Sequence, residues 1–349
     1  MRKLPIYFVL DTSESMVGEP INAVVQGLVT MLGVLRKDPY ALESAYLSVI
    51  TFGTEAKQLV PLTELSQFQV PKLILGSGTS LGAALLLLEK RIAVEVTKST
   101  AQVKGDYKPL VFLMTDGEPT DRWETIADKF LKNRSLQLVA IGCGPDTNLN
   151  TLRRITELVI TGAEANQETL AKFFKWVSAS VATASQSVDK TGESKISLEK
   201  FPQDDNLKIV EETTPQQKTE PNRFVFMHNK CIKTKKFYIQ KFEKSGQQTG
   251  GFFGLGKKNK YTKAGVFPLD DFEQLSSSGG ISISTELLDS TNPCPYCGNE
   301  SWALCSCGKT HCSPEIKDAK KSLTLTCPWC NTTSDYGIVD SFSVGGGSG

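Results

Sequence analysis

Hydrophobic positions along residues 1–187 follow two alternating rhythms. Short continuous apolar runs at Leu4–Leu10, Ala45–Phe52, Pro109–Met114 and Leu136–Ile141 read as strands covered on both faces. Between and after them, Ile21–Leu35, Ser80–Val96, Thr120–Asn133 and Leu170–Ala184 carry apolar residues at helical spacing, with Thr79 or Ser80 placed to cap the second of these. Buried strands separated by helices predict a doubly wound, Rossmann-like α/β domain with a mostly parallel sheet. Ligands in such domains bind at the carboxyl ends of the strands. Residues 188–222 lose the pattern; they are polar, rich in Lys, Glu, Gln, Thr and Pro, and read as a linker. β-like runs return at Phe224–Met227, Phe237–Phe242 and Ile281–Thr285, around a Gly- and Lys-rich stretch, Ser245–Lys263. The predicted organisation is an α/β domain at 1–187, a linker at 188–222, a small β-rich metal-binding domain at 223–344 and a flexible tail at 345–349.

Composition sharpens this picture in three places. A chain of 349 residues suits two domains, and 40% hydrophobic with 22% charged residues is ordinary for a globular protein. With 39 basic and 38 acidic residues the formal charge is +1, so no global field would draw nucleic acid or membrane. The longest apolar run, Leu81–Leu88, is far short of the roughly 20 residues of a membrane span. The N-terminus shows neither the apolar core nor the cleavage site of a signal peptide, and a cytoplasmic location is expected.

The overall neutrality conceals a basic stretch. Lys230–Lys263 holds ten lysines and one acidic residue, Glu243, interleaved with Phe237, Tyr238, Phe242, Phe252, Phe253 and Tyr261. Such a mixture can bind single-stranded nucleic acid or an acidic protein surface. The plainer reading is a solvated β-face over core aromatics. Within it, Gly251–Lys258 approaches the phosphate-binding loop pattern, but Lys258 stands where Ser or Thr would hold Mg²⁺, and no apolar strand leads in.

Candidate chemistry gathers at the strand ends. The first strand runs into Asp11-Thr12-Ser13-Glu14-Ser15, a later one into Thr115-Asp116-Gly117, and Gly76-Ser77-Gly78-Thr79-Ser80 opens a helix. In a parallel sheet these segments share one edge and supply oxygen ligands alone, a set suited to Mg²⁺, Mn²⁺ or Ca²⁺. The hydroxyls are neutral and two carboxylates leave the dication under-neutralised, so an open position favours an acidic ligand from a protein partner. Other readings of these residues compete. The hydroxyls could simply cap helices. A haloacid-dehalogenase-like phosphatase would need a second Asp where Ser13 stands. A serine nucleophile would need a base, and the chain's two His, His228 and His311, lie outside this domain.

The pattern Asp-x-Ser-x-Ser, a later Thr and a later Asp resembles the von Willebrand factor A domain and its metal-ion-dependent adhesion site. Asp11, Ser13, Ser15, Thr79 and Asp116 match its five positions. The resemblance implies that Ser13, Ser15 and Thr79 bind the metal directly, with the two Asp residues acting through water.

Seven of nine cysteines fall between Cys294 and Cys330, which in a chain with no secretory signal favours metal over disulfides. Cys294-Pro-Tyr-Cys297 and Cys327-Pro-Trp-Cys330 each read as a zinc knuckle, and two knuckles complete a tetrahedral Cys₄ site. Cys305, Cys307, Cys312 and His311 bring the candidates to eight, enough for a second zinc; the pairing is open. Filled structural sites leave no position for catalysis. Cys143 reads as a small core residue and Cys231 is undecided.

An A-type domain followed by a β-rich segment and this cysteine module resembles the TerY-like proteins of bacterial tellurium-resistance and stress operons. Asp11–Ser15, Thr115–Asp121, Gly265-Val266-Phe267-Pro268, Cys305–Gly308 and the two knuckles carry the likeness. It implies a non-enzymatic member of a phosphorylation-linked system, with a Ser/Thr protein kinase and a PP2C-type phosphatase as partners. Nucleic-acid binding by the Lys-rich loop and zinc module is the alternative, and a metal-dependent phosphatase a more distant one.

Overall fold

The computed structural model describes residues 2–116, 118–132, 135–144, 147–162, 166–190, 198–202, 207–210, 223–249, 258–273, 281–289, 292–316, 322–338 and 341–346. Two compact units divide the chain, Met1–Thr219 and Glu220–Gly349.

The first unit runs β1 (Leu4–Asp11), α1 (Glu19–Leu35), α2 (Pro39–Ser44), β2 (Ala45–Phe52), β3 (Ala56–Glu64), the two-residue β4 (Leu75–Gly76) and α3 (Leu81–Glu95). It continues with β5 (Leu110–Thr115), α4 (Glu124–Lys132), β6 (Gln137–Cys143), α5 (Leu149–Arg153), β7 (Leu158–Gly162), α6 (Gln167–Lys190) and β8 (Leu207–Ile209). Seven strands form one sheet in the order β3-β2-β1-β5-β6-β7-β8. The central pairs are parallel, while β3 and β8 join antiparallel at the two edges. This is the predicted doubly wound sheet. Its order reverses between β1 and β5, which opens a crevice at their carboxyl ends.

Both faces are covered, which explains the continuous apolar strands. Tyr7, Val9, Val111 and Leu113 face Leu81, Leu85 and Leu88 of α3 and Leu152 of α5. On the other face Phe8 and Phe112 stack with rings 5.6 Å apart, and Phe174 and Trp176 of α6 close over them. A Cβ on Gly27 of α1 would lie 2.0 Å from the Phe174 ring, so α1 and α6 meet only because that position is glycine.

Several elements depart from the hydrophobic pattern. β3 contains Pro61, which hides it as a strand; at the sheet edge the missing N–H costs no ladder bond. The helix expected from Thr120 starts at Glu124, because Thr120 binds Thr79 and Asp121 binds the first turn of α3 instead. Part of the polar 188–222 segment is built into the first unit. Phe201 is buried against Trp176, with ring centroids 5.1 Å apart, and β8 extends the sheet.

The second unit contains β9 (Phe224–Lys230), β10 (Phe237–Thr249), β11 (Lys258–Leu269), β12 (Phe272–Glu273), β13 (Ile281–Ser284), β14 (Ser301–Leu304), β15 (Thr310–Ser313), β16 (Leu323–Thr326), β17 (Thr333–Tyr336) and β18 (Ser343–Gly346). Five strands form a sheet in the order β11-β10-β9-β15-β14, and β16–β17 and β13–β18 are separate pairs. The β10–β11 hairpin runs through much of the Gly- and Lys-rich stretch. Gly250–Lys257, which includes most of the near phosphate-binding loop, lies outside the described residues. Gly345 and Gly346 of the expected tail pair with Ser282 and Ile281 in β18, and residues 347–349 are not described.

Candidate metal sites

The first site sits in the β1/β5 crevice. Asp11 ends β1 and is 1% exposed; Ser13 and Ser15 follow in a tight turn; Asp116 directly follows β5. Hydrogen bonds join four of the five expected residues into one chain. Asp11 Oδ1 accepts the Ser13 N–H at 2.8 Å, the Ser13 and Ser15 hydroxyls lie 2.8 Å apart, and Ser15 donates to Asp116 Oδ1 at 2.6 Å. Thr115, which the sequence reading left out, donates to Asp11 Oδ2 at 2.5 Å.

Thr79 arrives on a separate loop that is held from three directions. The Gly76 N–H donates to Thr12 O at 2.8 Å, the Gly78 N–H to Glu14 Oε2 at 2.9 Å, and the Thr79 N–H to Thr120 Oγ1 at 2.9 Å. Asp121 caps α3 in place of Ser80, accepting the Gly82 and Ala83 N–H groups at 3.0 and 2.9 Å. Gly82 permits this approach, since a Cβ there would lie 2.7 Å from Arg122 O. Thr79 is 2% exposed beside the crevice.

The side chains gathered around Asp11 are neutral or acidic. Burial pushes the Asp11 carboxyl up to about 6; hydrogen bonds from Ser13 and Thr115 pull it down, and the Glu14 charge pushes it further up. The groups acting on Asp11 are hydroxyls, an amide and a carboxylate. A desolvated carboxylate among neutral donors and a like charge fits a bound dication, with Ser13 and Ser15 as neutral oxygen ligands. The sequence count of two carboxylates omits one: Glu14 is 3% exposed and belongs to the same crevice. Cys143, at the end of β6, is buried and pushed up by burial and by the Asp116 and Asp11 charges, consistent with a neutral core thiol.

The second unit brings eight cysteines into two groups of four, Cys231–Cys294–Cys297–Cys312 and Cys305–Cys307–Cys327–Cys330, each with its sulfurs within 4.8 Å of one another. Three of the closest separations, Cys297–Cys312, Cys305–Cys330 and Cys307–Cys327, are 3.5, 3.6 and 3.9 Å. A tetrahedral zinc with bonds of about 2.3 Å sets its sulfurs about 3.8 Å apart. The two Cys-x-x-Cys knuckles therefore serve different groups, where the sequence suggested that they complete one.

His311 belongs to neither group, and Cys231 takes the eighth place. The reason lies in β15. Neighbouring residues of a strand point to opposite faces, so with Cys312 turned to the first group His311 turns away. Its Nδ1 lies 3.0 Å from Cys312 O and its Nε2 3.3 Å from the Tyr336 hydroxyl, and burial lowers its pKa. Cys231 carried a signal that was missed. In Cys231-Ile-Lys-Thr-Lys235, the Lys235 N–H returns to Cys231 O at 2.9 Å, as Gly298 and Asn331 return to Cys294 and Cys327. Lys235, Gly298 and Asn331 share positive φ, 60°, 76° and 59°. The Cys231 turn is thus a knuckle with Thr234 in the second cysteine's position. Cys312 supplies the missing sulfur, accepting the Ile232 N–H at 3.3 Å.

Both groups hold thiols lowered toward the metal-binding form: Cys231 in the first, Cys305 and Cys330 in the second, where the Thr332 hydroxyl and N–H lower Cys330. At Cys231 burial raises the pKa, but bonds from Thr234 and the Lys233 N–H outweigh it and bring it to about 7. At Cys305 burial is likewise outweighed, by the Cys307 N–H and Tyr336, giving about 6. Thiolate is the metal-binding form.

The lysines of the basic stretch are partly engaged inside the fold. Lys230 lies over Phe237 and Trp329, with Nζ 4.4 and 4.6 Å from the ring centroids, and Lys309 lies 4.8 Å from that of Trp329. No helix among the described residues is long and apolar enough to cross a membrane.

Comparison with known proteins agrees with this arrangement. The von Willebrand factor type A domain model matches residues 6–178, and the TerY-C metal binding domain model matches residues 221–349. No curated protein matches the chain. Similar solved structures include proximal thread matrix protein 1 from the mussel byssus, 21% identical over 52% of this chain and 48% of that one, with a TM-score of 0.40. The ArnB paralog VWA2 from Sulfolobus acidocaldarius is 10% identical over 99% of this chain and 66% of that one, with a TM-score of 0.38. A mutant PilB minor pilin from Streptococcus sanguinis is 15% identical over 55% and 64%, with a TM-score of 0.41. The chain spans about half the length of the mussel protein.

Proposed function

We propose that this chain, TerY-like in joining a von Willebrand factor type A domain to a TerY-C metal binding domain, is a non-enzymatic, metal-dependent protein-binding scaffold. A dication held by Asp11, Ser13, Ser15, Thr79 and Asp116 would bridge to an acidic residue of a partner protein. Mg²⁺ fits the oxygen donors, and Mn²⁺ and Ca²⁺ are its nearest substitutes. The observation that carries this reading is the hydrogen-bonded chain Asp11–Ser13–Ser15–Asp116 at the sheet's switch point, with Asp11, Ser13 and Ser15 buried. Both histidines belong to the second unit, so a histidine base for hydrolysis is not built into the first.

In the second unit, zinc in the two Cys₄ groups would fix the loops of a second docking surface, since four thiolates per ion leave no open position for chemistry. By likeness to the TerY-like proteins, the system would be a bacterial tellurium-resistance or stress phosphorylation system, with a Ser/Thr kinase and a PP2C-type phosphatase as partners. The engagement of Lys230 and Lys309 with Phe237 and Trp329 weighs against nucleic-acid binding.

The test is affinity capture from native-host extract with Mg²⁺ present, using wild type, Asp11→Ala and Ser13→Ala. Both variants are expected to lose the captured partner while keeping the wild-type fold by circular dichroism. Equal capture by all three would refute the metal bridge.

A further inference from the structure

His311 belongs to neither cysteine group, yet it lies between them. Its side chain is fully buried. Nδ1 lies 3.0 Å from the carbonyl oxygen of Cys312, a member of the first group, and Nε2 lies 3.3 Å from the Tyr336 hydroxyl. That hydroxyl in turn hydrogen-bonds Cys305 of the second group. The Tyr336 ring meets the imidazole edge-on, with centroids 5.2 Å apart and planes at 82°. Simple core filling would favour an apolar side chain here, because each ring nitrogen needs a partner once it leaves water.

The strand that carries His311 serves both groups. On β15, Cys312 supplies a sulfur to the first group, while the Thr310 carbonyl accepts the indole N–H of Trp329 at 2.7 Å, within the Cys327–Cys330 knuckle of the second. The turn before β15 supplies Cys305 and Cys307. β15 also pairs with the end of β9, where His311 stands opposite Lys230, and Cys231 of the first group follows directly. The groups are thus interleaved along the chain: Cys312 of the first lies between Cys307 and Cys327 of the second. Fixing the ligands of one group fixes the strand that places ligands of the other.

We propose that the two cysteine groups bind zinc as a coupled pair, with His311 as the positioning residue that joins them. The inference rests on the reading of both groups as zinc sites. Zinc in the first group holds Cys312 and with it His311. His311 holds Tyr336 against Cys305, so the second group meets its ion already ordered. Such coupling is reciprocal, and typical values are roughly 5- to 150-fold in affinity.

The experiment titrates Zn²⁺ into the full chain against a chelator of known affinity, for wild type, Cys297→Ser and Cys330→Ser. The two serine variants report the second and the first group alone. The product of the two wild-type association constants should exceed the product of the two single-group constants by about tenfold or more. Repeating the series with His311→Phe, which keeps an aromatic ring without its nitrogens, should abolish most of that excess. Tyr336→Phe, which removes only the hydroxyl, should do the same. With Co²⁺ in the Cys297→Ser chain, both aromatic substitutions should shift the sulfur-to-metal charge-transfer band, because the hydrogen bond to a ligand sulfur is lost or displaced. Equal products in the wild-type series would overturn the coupling. An excess that survives in either aromatic variant, or a lower melting temperature with excess and spectrum unchanged, would overturn the role of His311. Failure of the underlying zinc reading looks different: wild type would bind fewer than two ions, or both serine variants would still bind two with wild-type affinity.

Discussion

The two units meet the same requirement, holding polar ligand groups in fixed positions, with opposite resources. The α/β unit has a seven-stranded sheet covered on both faces, and its candidate metal site is an addition at one end of a complete core. In the β-rich unit, five of the fifteen buried apolar side chains among the described residues are cysteines of the two groups: Cys231, Cys294, Cys305, Cys312 and Cys327. One of its clusters consists of Cys231, Tyr238, Cys294 and Cys312, so the ligand set is itself core. Small cores need such reinforcement. Metal at the first site would select a partner; metal in the second unit would hold the fold.

That contrast sets the largest expected effect. Stripping zinc should unfold the second unit and spare the first, because apparent binding energies of structural zinc, about 10–16 kcal/mol, are also folding energy. Hydrogen exchange should show protection lost in β9, β10 and β15 and retained in β1, β5 and β6. Protection of β9 and β10 surviving chelation would erase the distinction between the units.

The next effect distinguishes the ligands. Cys231→Ser should lose one of two bound zinc ions, or weaken its affinity at least a hundredfold. His311→Ala should retain both ions by elemental analysis, with only modest destabilisation. The reverse result would restore His311 as a ligand.

These two residues also show why the sequence was legible in part. Seven of the eight sequence candidates fall into the two cysteine groups, and each Cys-x-x-Cys pair lies within one group. The count filled its eighth place with His311 because it lay within the cluster, whereas Cys231 lies more than sixty residues upstream. Strand alternation, which turns His311 away from Cys312, becomes decisive only once β15 is known to be a strand. In the first unit, continuous apolar runs revealed β1, β2, β5 and β6, since burial on both faces leaves that mark. β3 was hidden by its edge position and Pro61, and β8 by its three-residue length. Four of the five positions expected from their order along the chain are joined by hydrogen bonds in the crevice, and Thr79 comes in on a separate loop. Glu14, Thr115, Thr120 and Asp121 act through hydrogen bonds between separate loops, which spacing does not encode.

A pH experiment probes the first site at a smaller scale. Asp11 is raised to about 6 in the folded, metal-free chain, so the folded state holds a proton that the unfolded state has lost between its ordinary range and that value. The contribution of Asp11 to metal-free stability therefore falls as pH rises through this window, and metal binding displaces the proton. Mn²⁺ affinity should drop about tenfold per pH unit below 6 and level off above it. Asp11→Asn should remove this dependence and raise the metal-free melting temperature near neutral pH. An affinity independent of pH between 5 and 7 would show that Asp11 does not face the ion.

The smallest effect separates positioning from ligation. Asp121 touches no other proposed ligand; its carboxylate caps the first turn of α3, and its neighbour Thr120 holds the Thr79 N–H. Loss of a helix cap costs about 0.5–2 kcal/mol. Asp121→Ala should therefore lower the first unit's stability by about 1 kcal/mol in urea titration with an unchanged m-value. It should also weaken Mn²⁺ binding severalfold, through a less firmly held Thr79. Asp121→Asn, which keeps an oxygen acceptor for the Gly82 or Ala83 N–H, should recover most of the stability and of the Mn²⁺ affinity, because this role needs an acceptor more than a charge. Recovery of stability without recovery of Mn²⁺ affinity would mean that the Asp121 charge acts on the ion directly.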